Sequence, residues 1–207
     1  MSPDRSLGMK QICRELSNKG IDLLTLDALD VFAREGDWQT FVYARKVRSL
    51  TAWEVNPEFE AGLRKNLPIA KVEITDSIEK LKNYNNGKFG FIVIDNPQGS
   101  YGRSNQYCEH FDVLPNLNKV IDNEAIIIFN VNCEPFNFEK YPEWKRRREE
   151  FYKQPDTSRL SLYFLMHFYG QYFKQLGFEI RFIFSVFRDE CRPLSYLHYI
   201  VASLGRV

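Results

Sequence analysis

Residues 26–54 read LDALDVFAREGDWQTFVYARKVRSLTAWE, and the order of residue types in this stretch decides the fold. A short apolar run, Ala28-Leu29-Asp30-Val31-Phe32, ends in small and charged residues, Ala33-Arg34-Glu35-Gly36. Asp37 to Val47 suits a helix, with an acid at its start, where acids are favoured. Phe41, Ala44 and Arg45 fall at helical spacing, and Trp38 is expected in the core. A second β-rich run, Ser49-Leu50-Thr51-Ala52-Trp53, ends in Glu54. Strand, tight turn, helix, strand and acid is a layout compatible with a dinucleotide-type site. Backbone N–H groups in the turn can meet a ligand, and a carboxylate at the tip of the second strand can accept both hydroxyls of a ribose. Gly36 suits the turn because backbone there must approach closely, often at positive φ. An ordinary βαβ unit with no ligand has the same outline.

Working outward, Asn56-Pro57-Glu58 opens a helix over 58–66 that Pro68 closes. A short strand over 70–74 leads to Thr75-Asp76-Ser77, where Asp76 can cap a helix over 78–81. After a surface turn, NYNNGK at 83–88, comes Phe89-Gly90-Phe91-Ile92-Val93-Ile94. This run is apolar on both faces, as a central parallel strand should be. It ends in Asp95-Asn96-Pro97-Gln98-Gly99-Ser100-Tyr101-Gly102. Ligands bind outside the carboxyl ends of central strands. Asp95, Asn96, Pro97 and Tyr101 are therefore the candidate catalytic residues. The plainer alternative is a Pro/Gly turn whose Asp95 caps the next helix. His110 offers a base for a substrate proton, although a lone histidine is more often structural. A helix towards Asn118 and a buried, β-branched strand over 125–131 follow, with Asn130 and Asn132 at its ligand edge.

Residues 134–156 form an insertion rich in aromatics around Lys145-Arg146-Arg147-Arg148. Aromatics interleaved with cations can stack on bases and hold phosphates. The favoured reading of the charges is a surface helix on which Trp144, Arg148 and Phe151 share a face and Glu149 and Glu150 offset the basic run. In either case the insertion should border the substrate pocket. Upstream, a helix is expected over 4–19, within residues 1–20. Downstream, an amphipathic helix over 157–176 stops at Gly177. Two strands, 178–187 and 195–203, close the chain, joined by residues 188–194 with Pro193 in the loop. Strands alternating with helices imply one doubly wound, mostly parallel α/β sheet of seven strands with helices on both faces.

The chain has 207 residues, is 44% hydrophobic and carries a formal net charge of +1. Such a chain suits a single globular domain, residues 1–207, with no global field pulling it onto nucleic acid or an anionic membrane. Cys13, Cys108, Cys133 and Cys191 are scattered without a CxxC pair or Cys/His cluster, so no metal site is expected. The N-terminus lacks the apolar core of a signal peptide, and no apolar run approaches membrane-spanning length. A reducing, cytoplasmic setting is expected.

Asp30-Val31-Phe32-Ala33-Arg34-Glu35-Gly36 resembles the first motif of the class I S-adenosylmethionine-dependent methyltransferases, roughly Asp/Glu-x-Gly/Phe-x-Gly-x-Gly. Asp30, Phe32 and Gly36 fit the pattern. Arg34 stands where a glycine is expected and would crowd the methionine end of the cofactor unless its side chain turns away. The resemblance implies a Rossmann-like sheet with an antiparallel final strand and S-adenosyl-L-methionine as cofactor. By the same resemblance, Asp30, Phe32, Ala33, Gly36, Glu54, Val55, Asp76 and Ser77 would hold that cofactor, with Glu54 on the ribose and Asp76 by the adenine. Asp95-Asn96-Pro97-Gln98 partly matches the Asp/Asn-Pro-Pro-aromatic motif of adenine-type enzymes, with the aromatic delayed to Tyr101. The methyl acceptor stays open, and nucleic acid is the weaker class of partner. A degenerate methyltransferase-like binding module is the alternative from another class.

Overall fold

The computed structural model describes residues 6–188 and 196–207. The first strand β1 spans Asp27–Asp30, β2 Ser49–Glu54, β3 Lys71–Ile74 and β4 Phe89–Ile94. A two-stranded ribbon, β5 (Ser100–Tyr101) and β6 (Tyr107–Cys108), stands apart, and β7 (Ile121–Asn132), β8 (Phe178–Phe187) and β9 (Leu197–Arg206) complete the set. Seven strands form one sheet in the order β3-β2-β1-β4-β7-β9-β8. β1 pairs in parallel with β2 and β4, β2 with β3, and β4 with β7. β9 runs antiparallel to both β7 and β8, so the final strand is the reversed one. The fold is a doubly wound α/β sheet of the Rossmann-like kind.

Side chains alternate across a strand, so each central strand feeds two cores. Leu29, Trp53, Ile92, Ile94, Ile127 and Phe129 face one side. Ala28, Ala52, Phe91, Val93, Ile126 and Ile128 face the other. The second face is covered by α1 (Leu7–Asn18), α2 (Gln39–Tyr43) and α3 (Glu60–Asn66), through Met9, Ile12, Leu16, Tyr43 and Leu63. The first face is covered by α4 (Ser77–Lys82), the 3-10 segment Leu114–Lys119, α5 (Pro142–Tyr152) and α6 (Leu162–Gln175). Every residue of β4 is buried, as expected of a strand covered on both faces.

Boundaries differ from the sequence reading where side chains find tertiary partners. The helix expected over 37–47 shrinks to Gln39–Tyr43, because Thr40 and Tyr43 turn inward to a buried carboxylate and Trp38 supplies no cap. The segment towards Asn118 is 3-10 rather than α-helical. The helix expected from 157 begins at Leu162, where Ser161 accepts the N–H of Phe164 at 3.1 Å. Met1 to Arg5 and residues 189–195 lie outside the described residues, and with them most of the expected joining loop, its Pro193, and Cys191.

Candidate active site

At the carboxyl rim of the sheet, Val31 donates to Val93 O (3.0 Å), Ala33 to Trp53 O (2.9 Å) and Thr75 to Glu54 O (2.7 Å). These bonds extend the ladder past the last strand residues and fix the turns that follow β1 and β3. Glu54 ends β2 and is buried at 7% exposure, yet its carboxylate faces a cavity. Its Oε2 accepts the backbone N–H of Arg34 at 2.8 Å and its Oε1 that of Asn56 at 2.7 Å. Each oxygen keeps a second lone pair for a ligand.

The cavity, about 410 Å³, is lined by Phe32, Arg34, Trp38, Glu54, Val55 and Phe59 on one side. Asp76, Ser77 and Ile78 line its second side, and Asp95, Asn96, Pro97, Gln98 and Tyr101 its third. That volume falls in the usual range for small-molecule sites. Of the expected cofactor residues, Phe32, Glu54, Val55, Asp76 and Ser77 line it, as do all four expected catalytic residues. Trp38, expected in the core, is half-buried and lines the cavity. Arg34 is left-handed, with φ of 51°, and its guanidinium lies over the rings of Trp38 (4.5 Å) and Phe59 (5.5 Å). That exposed stack draws the side chain aside to the wall.

The other three expected cofactor residues, Asp30, Ala33 and Gly36, do not line the cavity. Asp30 is buried beneath the turn, where it accepts hydrogen bonds from Thr40 Oγ1 (2.6 Å), Tyr43 Oη (2.7 Å) and the Phe32 N–H (3.2 Å). Burial, reinforced by nearby Asp95, pushes its carboxyl up to about 6. Ala33 belongs to the core. Gly36 has φ of 67°, and a Cβ there would sit 2.5 Å from Cδ1 of Leu67. The glycine thus serves packing against α3 rather than approach to a ligand.

The β4 loop is held by reciprocal bonds. Asn96 donates its N–H to Asn130 Oδ1 at 3.1 Å, and Asn130 Nδ2 donates back to Asn96 O at 3.0 Å. Asn96 is 3% exposed, and its Oδ1 has no partner among the described residues. Asp95 is paired with Arg188 at 2.8 and 3.0 Å, a bidentate contact across 93 positions of sequence. Tyr101 packs edge-on against Phe32 and donates its hydroxyl to Glu109 O at 2.7 Å; burial raises its pKa far above that of an ordinary phenol. Asp76 caps α4, accepting from Ile78 N (3.0 Å) and Glu79 N (3.1 Å), while still lining the cavity. Ser77 donates its hydroxyl to Val31 O at 2.5 Å.

His110 is fully buried, hydrogen-bonded to Tyr169, and away from the cavity. Burial, with Arg148 nearby, lowers its pKa to about 3, so it stays neutral in the core. The basic run is neutralised residue by residue. Lys145 meets Glu149 (3.7 Å), Arg146 meets Glu143 (2.5 Å) and Arg147 meets Asp112 (2.9 Å). Arg148, expected on a surface helix, is fully buried and meets Glu109 at 2.6 Å. Glu109 also accepts the indole N–H of Trp144 at 2.7 Å. The insertion forms a second cavity beside the first, about 660 Å³, and Gln98 lines both. Sequence reasoning missed Gln98 and Arg188: one is a single polar residue in a loop, the other pairs far along the chain.

No protein-family model matches the chain, and no curated protein is recognisably similar in sequence. Solved structures do match over nearly the whole chain. A Streptococcus thermophilus protein provisionally named a hemolysin superposes with a TM-score of 0.60 at 12% identity, covering 100% of this chain and 68% of that one. The M. jannaschii protein TYW2, solved in complex with AdoMet, gives 0.55 at 12% identity, covering 96% and 77%. An Escherichia coli protein provisionally named the methyltransferase yhhF gives 0.55 at 13% identity, covering 96% and 86%. The strand order, the reversed last strand and these superpositions together show that the chain has the Rossmann-like fold of the class I methyltransferases.

Proposed function

We propose that the chain is an S-adenosyl-L-methionine-dependent methyltransferase. The observation that carries this reading is Glu54: a carboxylate at the tip of the second strand, clasped by two backbone N–H groups and turned into a cavity of nucleoside size. Its remaining lone pairs suit the two ribose hydroxyls. Asp76 and Ser77, which line the same cavity, would serve the adenine, and Phe32 adds an apolar ring to the lining. The residues present fit the cofactor, with Arg34 stacked aside against Trp38 and Phe59.

When bound, the cofactor would supply a sulfonium methyl group open to attack by an acceptor lone pair, with the thioether leaving and keeping the C–S bonding pair. The chain's own part is positioning. Asn96 presents an unpartnered, buried Oδ1 that suits an N–H of the acceptor, and the Asn130 clasp fixes the loop carrying it. Asp95 is committed to Arg188 and Tyr101 to Glu109, so both shape the site rather than take a proton. The acceptor proton then passes to water. The free thiols of Cys13, Cys108 and Cys133 support a reducing, cytoplasmic setting, and among the described residues no helix is long and apolar enough to cross a membrane.

Thermal denaturation tests the reading. A ligand at one hundred times its Kd stabilises the folded state by about 2.7 kcal/mol. S-adenosylmethionine should raise Tm in a concentration-dependent way, whereas NAD and ATP should not. Equal or absent shifts with all three would remove the proposal. Arg34 favours one second reading, a cofactor-binding module without turnover, which predicts the same shift but no methyl transfer to any acceptor.

A further inference from the structure

Gln98 lines both cavities, and neither its Oε1 nor its Nε2 has a hydrogen-bond partner among the described residues, although both atoms are buried. A buried amide without partners is costly, whereas the same amide facing a matching ligand edge is not. A primary amide presents one acceptor and one donor side by side. The complementary edge also has a donor beside an acceptor, as in a carboxamide or an amino group next to a ring nitrogen.

The second cavity suits a flat ring behind such an edge. Phe136, Tyr141 and Trp144 supply aromatic walls, and Phe136 and Tyr141 remain exposed at 57% and 48%. Planar rings gain from offset or edge-on packing against these surfaces. The buried polar groups of its lining, on Gln98, Ser100 and Asn132, are neutral, while the charged side chains that also line it, Lys140 and Glu143, are exposed and of opposite sign, so a charged ligand lodged against Gln98 would lose hydration for no net countercharge. A phosphate-bearing strand is also poorly served. Lys145, Arg146, Arg147 and Arg148 are each held by a carboxylate of this chain, and Lys140, which lines the cavity, is a single exposed cation over the ring of Tyr141 at 5.3 Å.

We infer that the second cavity is the acceptor site, that its ligand is a small, uncharged, planar heterocycle or aromatic carboxamide, and that Gln98 reads its donor–acceptor edge where the two cavities meet. This rests on the methyltransferase reading for the word acceptor, but the binding claim stands by itself.

The test uses ¹⁵N-labelled protein and the indole N–H resonances of Trp38 and Trp144, one on each cavity. Benzamide is the probe, benzoate its charged isostere, and S-adenosylhomocysteine the cofactor control. Benzamide should shift Trp144 with a weak, saturable affinity; benzoate should not. Gln98→Met, which keeps the length and removes the amide, should weaken benzamide about tenfold. If Gln98→Met does not fold, Tyr141→Ala at the exposed mouth should weaken it instead. Equal binding of benzoate, no shift at Trp144, or undiminished binding to the variant that folds would overturn the inference. Tighter, salt-sensitive binding of a single-stranded hexanucleotide at Trp144 would overturn it too, in favour of a base carried in a strand. A missing Trp38 shift with S-adenosylhomocysteine would instead count against the methyltransferase reading, leaving the benzamide result to judge the second cavity.

Discussion

Arg34 donates its backbone N–H to Oε2 of Glu54 at 2.8 Å, across twenty positions of sequence. The residue that departs from the glycine-rich pattern is thus held in its left-handed conformation by the acid expected to hold the ribose. Its side chain leaves the cavity centre because two rings, Trp38 and Phe59, offer it a cation–π seat on the wall. The arginine therefore changes the rim of the cavity without filling it.

The Asn96–Asn130 clasp should be essential to the β4 loop. Asn130→Leu would strand the N–H and C=O of Asn96, both buried. Each unsatisfied group costs about 1–3 kcal/mol. The variant should lose about 2–4 kcal/mol in urea unfolding, with weaker cofactor binding. An unchanged midpoint would show that the clasp does not hold the loop.

Glu109 and Arg148 form an ion pair with both side chains fully buried. Glu109 also adopts φ of 44°, a left-handed geometry for a non-glycine residue. Removing one partner of a buried pair leaves an uncompensated charge and costs about 3–5 kcal/mol. Arg148→Met alone should be severely destabilised in urea unfolding. Adding Glu109→Gln should recover much of that loss, and failure to recover would assign the effect to packing of the long side chain.

Gly36→Ala should destabilise by about 1–3 kcal/mol, since it combines positive φ with a clash against Leu67. Adding Leu67→Ala should restore part of the loss in the same unfolding experiment. No restoration would leave backbone strain as the cause.

Asp30 gives the protein a pH dependence of unusual sign. Its carboxyl lies at about 6 when folded against 3.8 ordinarily, because burial penalises the charged form. Between those values the folded state binds more protons than the unfolded state, so stability falls as pH rises through the window. The cost is absent below about 4 and reaches about 3 kcal/mol above 6. His110, lowered to about 3, has the opposite slope: the unfolded state takes up its proton first as pH falls below 6.5. The difference between wild type and Asp30→Asn isolates the aspartate. The variant should gain relative stability between pH 4 and 6, and a constant offset at all pH values would contradict the assignment.

Much of this architecture was legible in local pattern. β4 is apolar at every position, and the acid at the tip of β2 and the helix start at Asp76 are short-range signals. Side-chain pairing over long separations was not legible. Arg148 sits in a basic run that reads as solvated, yet Glu109, 39 positions away, draws it inside. Thr40 and Tyr43 shorten α2 because the buried carboxylate of Asp30, at the end of β1, needs donors. Trp38 lies at the cavity because Arg34 stacks on it, a contact no periodicity encodes. Gly36 fits the motif in sequence, while in space it makes room for Leu67.

Calorimetric titration of S-adenosylhomocysteine into wild type and Glu54→Gln bears most directly on the central claim. Glutamine keeps the shape and one carbonyl for the Arg34 or Asn56 N–H, but removes the charge that strengthens the ribose bonds. The wild type should bind at a single site, and Glu54→Gln should bind about tenfold more weakly or worse. Equal affinity in the two proteins, or no binding to either, would contradict the account.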